Sequence, residues 1–265
     1  MKHLVLIVWV VVLLFSCNKP DNEVIVKPYN ASQKLLSAVA WYQKSAEMYV
    51  SYRQSFEFAS LKLQRNLSER TSALPPAVIL DIDETVLDNS PFEVRCLQTQ
   101  TAFSQDLWTD WVQQKKANAL PGALEFIRYA QAKKVAVFLI SNRDQSALRE
   151  TIRNLQLAGF YGFTKDNVLL KTSGSDKTTR RDLVAKNYDV VLLVGDNLTD
   201  FSELYRDRTT NFGMATVDST WKTISRNFIQ LPNPMYGDWA KGFPTAKDAT
   251  DAATDSVILS KLTGY

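Results

Sequence analysis

Acidic and hydroxyl side chains stand directly after three short apolar runs, and they are the residues best able to do chemistry. They are Asp81 and Asp83, then Ser141, then Asp196 and Asp200. Carboxylate oxygens suit Mg²⁺, which keeps water and substrate phosphate as its other ligands. Once a metal neutralises the charge, one carboxylate can attack phosphorus while another protonates the leaving alkoxide and later activates water. The pattern indicates magnesium-dependent phosphoryl transfer.

Two lysines, Lys171 and Lys177, precede the last of these runs. A lysine supplies positive charge where negative charge gathers on the phosphoryl oxygens, and Ser141 supplies a hydroxyl donor. We favour Lys177 because it lies in a Ser-Asp-Lys-Thr turn that opens a predicted helix, and helix N-termini bind phosphate groups. Lys171 is the alternative.

The apolar runs predict the elements that position these side chains. Four runs suit buried parallel strands, namely 77–80, 135–140, 168–170 and 190–194. Helix-like segments such as 124–133 and 148–157 separate them. Strands alternating with helices predict an α/β fold with a parallel sheet. Ligands bind such sheets at the carboxyl ends of the strands, so the polar residues are expected to meet there.

Two further segments lie outside this alternation. Apolar residues recur at helical spacing over 32–70, which predicts one long helix or two with aromatic residues in the core. The stretch 88–121 is too long for a simple connection, so we expect a small helical cap. The segment 32–265 is expected to form one domain.

The first 17 residues are typical of an export signal. Lys2 and His3 precede an unbroken apolar run over 4–15, and Ser16 and Cys17 follow. The run is shorter than the roughly 20 residues that cross a bilayer, which disfavours the alternative of an uncleaved anchor.

Removal of this signal would leave no histidine, because His3 is the only one in the chain. That excludes a Ser-His-Asp triad and a His-ligated zinc centre. Cys96 is expected to be a buried small hydrophobic residue and not a nucleophile. The net charge of +3 comes from scattered basic residues, which argues against nucleic acid as a partner.

Two runs carry a family resemblance. The segment 79–90, with its Asp-Ile-Asp-Glu-Thr core, and the segment 194–201, with Gly-Asp-Asn-Leu-Thr-Asp, resemble the signatures of the haloacid dehalogenase (HAD) superfamily. More narrowly, they resemble those of the class C bacterial acid phosphatases, a lipoprotein group. The similarity also includes 41–47, Trp108, Trp111, 121–123, 138–143, 231–233 and 236–239.

The resemblance implies a HAD-like Rossmannoid fold and a role for each site residue. Asp81 would be the nucleophile, and Asp83 the general acid and base that also binds Mg²⁺ through its backbone carbonyl. Asp81, Asp196 and Asp200 would complete the metal site. The phosphate ligands would be Ser141, Asn142 and the chosen Lys177.

The resemblance also implies the substrates: 5′-nucleotides, nicotinamide mononucleotide and aryl phosphates. Phe92, Trp108 and Tyr236 are candidates to stack on the leaving group. The family usually has Tyr where this chain has Phe92, which leaves the substrate preference open. Core or cap packing is the alternative role for all three rings. A phosphotransferase of the same fold and a non-catalytic surface lipoprotein are the alternative functions.

A second resemblance predicts lipidation. Leu14-Phe15-Ser16-Cys17 resembles the lipobox that precedes a lipid-bearing cysteine. Acyl chains on Cys17 would anchor the protein in the bacterial cell envelope outside the cytoplasm, in the outer membrane by family resemblance. The polar segment 18–31 would be the tether, and the family tends to form homodimers.

Overall fold

A computed structural model describes residues 31–243 and 250–264. Its helices are α1 (Ala31–Lys44), α2 (Ala46–Glu69), α3 (Ser90–Thr99), α4 (Gln105–Gln114), α5 (Ala123–Ala132), α6 (Leu148–Leu157), α7 (Thr178–Ala185), α8 (Met214–Asn227) and α9 (Asp251–Leu259). Its strands are β1 (Pro76–Leu80), β2 (Leu87–Asp88), β3 (Asn118–Ala119), β4 (Ala136–Asp144), β5 (Val168–Lys171), β6 (Asp189–Gly195) and β7 (Phe228–Gln230).

Five strands form one parallel sheet in the order β5-β4-β1-β6-β7. The central strand β1 is apolar, and its residues from Ala77 to Leu80 are buried, as expected for a strand covered on both faces. Helices connect the strands, so parallel neighbours follow from the crossovers. The predicted α/β fold is confirmed.

The sheet departs from the prediction in two ways beyond shifts of a single residue at strand ends. β4 does not end at Ile140 but continues to Asp144, because the pairing with β5 resumes at Asp144 and Lys171 after an irregularity. Ser141 therefore lies within the strand. The edge strand β7 was not predicted, since a run of three residues is too short to give a period-two pattern.

The segment 32–70 forms two helices, because the chain breaks at Ser45. This residue has extended backbone angles, and its hydroxyl accepts a hydrogen bond from the Met48 amide, as an N-cap does. The buried hydroxyls of Tyr42 and Tyr52 lie 2.6 Å apart, and Tyr52 donates to the Glu84 carbonyl at 2.6 Å. The N-terminal helices thus fix the loop that follows β1.

The segment 88–121 contains α3 and α4, as the cap prediction required, and the short strands β2 and β3 pair at its two ends. The indole of Trp111 on α4 donates a hydrogen bond of 2.9 Å to Asn89, just before α3. This bond links the two helices to the loop that carries the predicted acidic residues.

The predicted signal and the lipidation residue Cys17 lie outside the described residues, as does nearly all of the tether. Among the helices of 31–243 and 250–264, none is long and apolar enough to cross a membrane. Cys96 is buried with a free thiol, consistent with the small hydrophobic residue expected.

Candidate active site

The predicted acidic residues meet at the carboxyl edge of the sheet. Asp81 follows β1 directly, and Asp83 lies two residues further in the same loop. Asp196 follows β6, and Asp200 ends a short 3₁₀ turn just beyond it. Because β1 and β6 are parallel neighbours, their C-terminal loops lie side by side.

Three carboxylates form a compact group that could hold a cation. One oxygen from each of Asp81, Asp196 and Asp200 lies within 4.8 Å of the others. The Asp83 side chain is not in this group, and the resemblance had assigned it a backbone carbonyl as its metal ligand.

Gly195 provides the room that this group needs. A Cβ at this position would lie 2.3 Å from Oδ2 of Asp200, so any other residue would push that carboxylate away. The backbone N–H of Asn197 donates to the same Oδ2 at 2.9 Å, and the Asn233 side chain donates to Asp196 at 2.8 Å. Oriented, all-oxygen carboxylate ligands fit a hard divalent cation such as Mg²⁺.

Lys177 is buried beside the carboxylates. Its ammonium forms ion pairs with Asp81 and with Asp200, the latter at 2.7 Å. Burial lowers the pKa of Lys177, but the charges of Asp200 and Asp81 outweigh that effect and raise it above its ordinary value. Lys177 therefore stays positively charged. The alternative, Lys171, lines the cavity from the end of β5 without such a contact in the described residues.

Burial and crowding raise the pKa of two of these carboxyl groups. Burial raises the pKa of Asp81 to about 7; Lys177 opposes the rise, and Asp200 and Asp83 add to it. Burial, together with the charges of Asp200 and Asp81, also raises the pKa of Asp196 well above its ordinary value. A cation at the group would relieve this repulsion.

Asp83 is held by a separate set of donors. The buried guanidinium of Arg143 forms an ion pair with it at 2.8 Å. The Ser141 hydroxyl donates to Asp83 Oδ2 at 3.1 Å, and the Asn89 amide donates to Oδ1 at 2.8 Å. The Asp83 carboxylate therefore has one fixed orientation.

Asn142, predicted to bind phosphate, lines the cavity with an exposed side chain. Its amide donates to the Ser175 carbonyl at 3.0 Å, and its oxygen accepts from Arg180 at 2.7 Å. Arg180 also donates to the Ser141 carbonyl at 2.5 Å, which ties β4 to α7 beside Lys177.

A cavity of about 610 Å³ opens above the carboxylates. Phe92 is buried in its wall and packs edge-on against Trp108, with ring centres 5.2 Å apart. Phe103 packs against both rings and is 63% exposed. Tyr236 lines the same cavity and is 37% exposed. All three rings predicted to stack on the leaving group therefore face the cavity.

Several polar residues that complete the site have no role predicted from the sequence. They are Asn89, Arg143, Arg180 and Asn233. Only Arg143 could have been predicted from the sequence. Side chains alternate between the two faces of a strand, and Arg143 lies two residues after Ser141, so both lie on the same face of β4. The other contacts depend on how distant loops meet.

Comparison with known proteins identifies the family. The model that describes HAD superfamily, subfamily IIIB (acid phosphatase) matches residues 16–239. The chain belongs to this acid phosphatase family. The class C acid phosphatase from Bacillus anthracis has a similar structure, with a TM-score of 0.81 and 35% identity over 88% of this chain and 98% of that one. The predicted family is confirmed, and the predicted enzyme class, an acid phosphatase, agrees with it.

Other similar proteins extend the comparison. The structure of the Bacillus anthracis enzyme with tungstate bound is 34% identical over 89% of this chain and 99% of that one, with a TM-score of 0.81. A stem 31 kDa glycoprotein of Glycine max is 27% identical over 175 residues, and acid phosphatase 1 of Solanum lycopersicum is 26% identical over 166. The matches cover 62% and 57% of these two curated relatives.

Proposed function

We propose that this member of the acid phosphatase family hydrolyses phosphomonoesters with the help of Mg²⁺, through an aspartyl-phosphate intermediate on Asp81. The observation that carries the proposal is the meeting of Asp81, Asp196 and Asp200 within 4.8 Å, with Lys177 bonded to two of them. Three carboxylates face one fixed positive charge in this group. The group therefore has an excess of negative charge that a bound cation would neutralise.

Asp81, Asp196 and Asp200 are the side chains that would hold the metal, with the Asp83 carbonyl as the family resemblance implies. A bound Mg²⁺ would neutralise the negative charge of the carboxylates and of the substrate phosphate. The all-oxygen donor set favours Mg²⁺ over metals that prefer nitrogen or sulfur ligands.

The chain's own residues then account for the two chemical steps. In the first, an Asp81 oxygen forms a bond to phosphorus as the bond to the leaving oxygen breaks, and the Asp83 carboxyl gives that oxygen its proton. In the second, Asp83 takes a proton from a water molecule whose oxygen attacks phosphorus. Phosphate leaves, and the Asp81 carboxylate is restored.

Positively charged and neutral donors around Asp81 would bind the phosphoryl oxygens. Lys177 supplies a charge that burial and its partners keep fixed in place, which suits the negative charge of the transition state. Ser141 and Asn142 would add neutral donors from β4. The bond between Ser141 and Asp83 also links phosphate binding to the position of the general acid.

The aromatic residues of the cavity wall favour substrates whose leaving group contains a flat ring. Phe92, Trp108 and Tyr236 offer aromatic surface to the bases of 5′-nucleotides, to nicotinamide mononucleotide and to aryl phosphates. Tungstate, bound in the similar Bacillus anthracis structure, is a tetrahedral oxyanion like phosphate. This likeness supports an oxyanion as the ligand of the present site.

We also propose that acyl chains on Cys17 anchor the protein in the bacterial cell envelope outside the cytoplasm. The support is the lipobox-like sequence before Cys17. We propose in addition that the protein forms a homodimer, as the family resemblance implies.

The test is phosphate release from p-nitrophenyl phosphate and a panel of 5′-nucleotides, measured with Mg²⁺ and with EDTA. We expect release with Mg²⁺ that EDTA abolishes and fresh Mg²⁺ restores. Release that EDTA leaves unchanged would contradict the metal requirement. No release by demonstrably folded protein would contradict the phosphatase. Adding an acceptor alcohol and measuring phosphorylated product separates hydrolysis from transfer.

A further inference from the structure

Glu93 lines the cavity from the first turn of α3 without a partner. Its side chain is partly buried, and it forms no hydrogen bond or ion pair with any residue that the structure describes. Burial raises the pKa of Glu93, with no neighbouring charge to offset the effect. A carboxylate that loses water and gains no partner costs free energy unless a ligand supplies one.

The other carboxylates lining the cavity all have partners. Lys177 pairs with Asp81 and Asp200, Arg143 with Asp83, Asn233 with Asp196, and Lys241 with Asp238. Within the described residues, Glu93 is therefore the exception. Glu93 therefore does not neutralise a positively charged side chain among the described residues, as most of the other carboxylates do.

Three aromatic rings line the same cavity as Glu93. Phe92 precedes Glu93, and its ring packs edge-on against Trp108 and Phe103 at 5.2 and 5.9 Å. All three line the cavity together with Glu93. Aromatic faces attract cations, and sets of such rings recognise quaternary ammonium groups. A carboxylate that lines the same cavity adds a charge partner for a cation.

The cations that line the cavity belong to other elements. Lys171 lies on β5, and Arg206 and Lys241, which follow β6, are paired with Glu203 and Asp238. Lys177 is paired with Asp81 and Asp200. Arg143 on β4 lies over the Trp108 ring at 5.7 Å, but its charge is paired with Asp83. Glu93 and the three rings all come from the segment of α3 and α4. A positively charged leaving group would therefore bind on this side.

We propose that Glu93, with Phe92, Phe103 and Trp108, selects phosphomonoesters whose leaving alcohol carries a positive charge, as in phosphocholine. This inference rests on the proposed phosphatase function and adds the charge of the leaving group to it.

Two substrates of the same shape test the inference. Phosphocholine and 3,3-dimethylbutyl phosphate differ in a nitrogen that carries a positive charge and a carbon that does not. We expect the wild-type enzyme to prefer phosphocholine in kcat/KM by roughly tenfold, in the range of a cation bound to aromatic rings and a carboxylate. Glu93→Gln keeps the side-chain volume and should bring this ratio close to one. Glu57→Gln, at an exposed position on α2, is the matched control and should keep the ratio.

Each result decides one question. A wild-type ratio near one, or a ratio that Glu93→Gln leaves unchanged, overturns the role of Glu93, while hydrolysis of both esters upholds the phosphatase. Absence of phosphate release from both esters and from p-nitrophenyl phosphate overturns the proposed function, and the inference with it. Thermal unfolding of both variants checks that they are folded.

Discussion

Arg143 and Asp83 form an ion pair within the site: Nη2 of Arg143 lies 2.8 Å from Oδ1 of Asp83, and the arginine side chain is only 1% exposed. Arg143 also donates to Asn89 at 3.2 Å and lies over the Trp108 ring at 5.7 Å. One buried guanidinium thus joins the proposed general acid to the aromatic wall of the cavity. We regard Arg143 as a positioning residue.

Arg143→Lys should lower kcat more than it changes KM, because lysine keeps the charge but cannot reproduce the planar set of donors. The variant should also lose stability, since breaking a buried ion pair costs about 3–5 kcal/mol when one partner is removed, and less when the charge is kept. Steady-state kinetics with p-nitrophenyl phosphate and urea unfolding measure the two effects. Arg149→Lys is the control, because Arg149 is 93% exposed and pairs with the adjacent Glu150. Equal kinetics in the two variants would contradict the positioning role.

Asp81→Asn should abolish turnover and leave the fold intact. The amide has nearly the volume of the carboxylate but cannot attack phosphorus, so we expect kcat to fall by at least roughly a thousandfold, as for other removed nucleophiles. Single-turnover assays and circular dichroism give the two readouts. Retention of a tenth or more of the activity would exclude Asp81 as the nucleophile.

The sequence predicted the parallel sheet and the meeting of its acidic residues, because apolar runs followed by Asp81 and Asp196 are local patterns. It also favoured Lys177 from its place in a turn, and the structure brings its ammonium to Asp81. It gave no role to Asn233, whose bond to Asp196 spans 37 residues. Such contacts depend on how loops meet in space, which periodicity does not encode.

Gly195→Ala should weaken metal-dependent activity. The added Cβ would lie 2.3 Å from Oδ2 of Asp200, and that carboxylate would have to leave the group it forms with Asp81 and Asp196. We expect the Mg²⁺ concentration for half-maximal activity to rise about tenfold or more, because loss of a partner behind a metal ligand already costs about 10- to 100-fold and Asp200 is itself a proposed ligand. A Mg²⁺ titration of the initial rate measures it.

Gly264→Ala is the matched control for this substitution. A Cβ at Gly264 meets no atom within 4 Å, so its Mg²⁺ titration should match that of the wild-type enzyme. A Gly195→Ala enzyme with an unchanged titration would show that Asp200 is not needed for the metal.

The stabilisation by Mg²⁺ should grow with pH. Burial raises the pKa of Asp81 from 3.8 to about 7, so the metal-free folded state binds this proton more tightly than the unfolded chain does. The resulting contribution to stability is complete below pH 3.8 and is lost as the pH rises through about 7. Protonated carboxyl groups do not bind metals, so Mg²⁺ competes with these protons.

The melting temperature measured with EDTA and with saturating Mg²⁺ checks this linkage. We expect the difference between the two to be small well below pH 7 and larger above it, because Asp81 is then ionised in the metal-free protein. Asp81→Asn should reduce the difference above pH 7, since the variant lacks one of the carboxylates. A difference that is the same at both ends of the range would mean that the metal binds without displacing protons from this group, and Asp81 would then not be among its ligands.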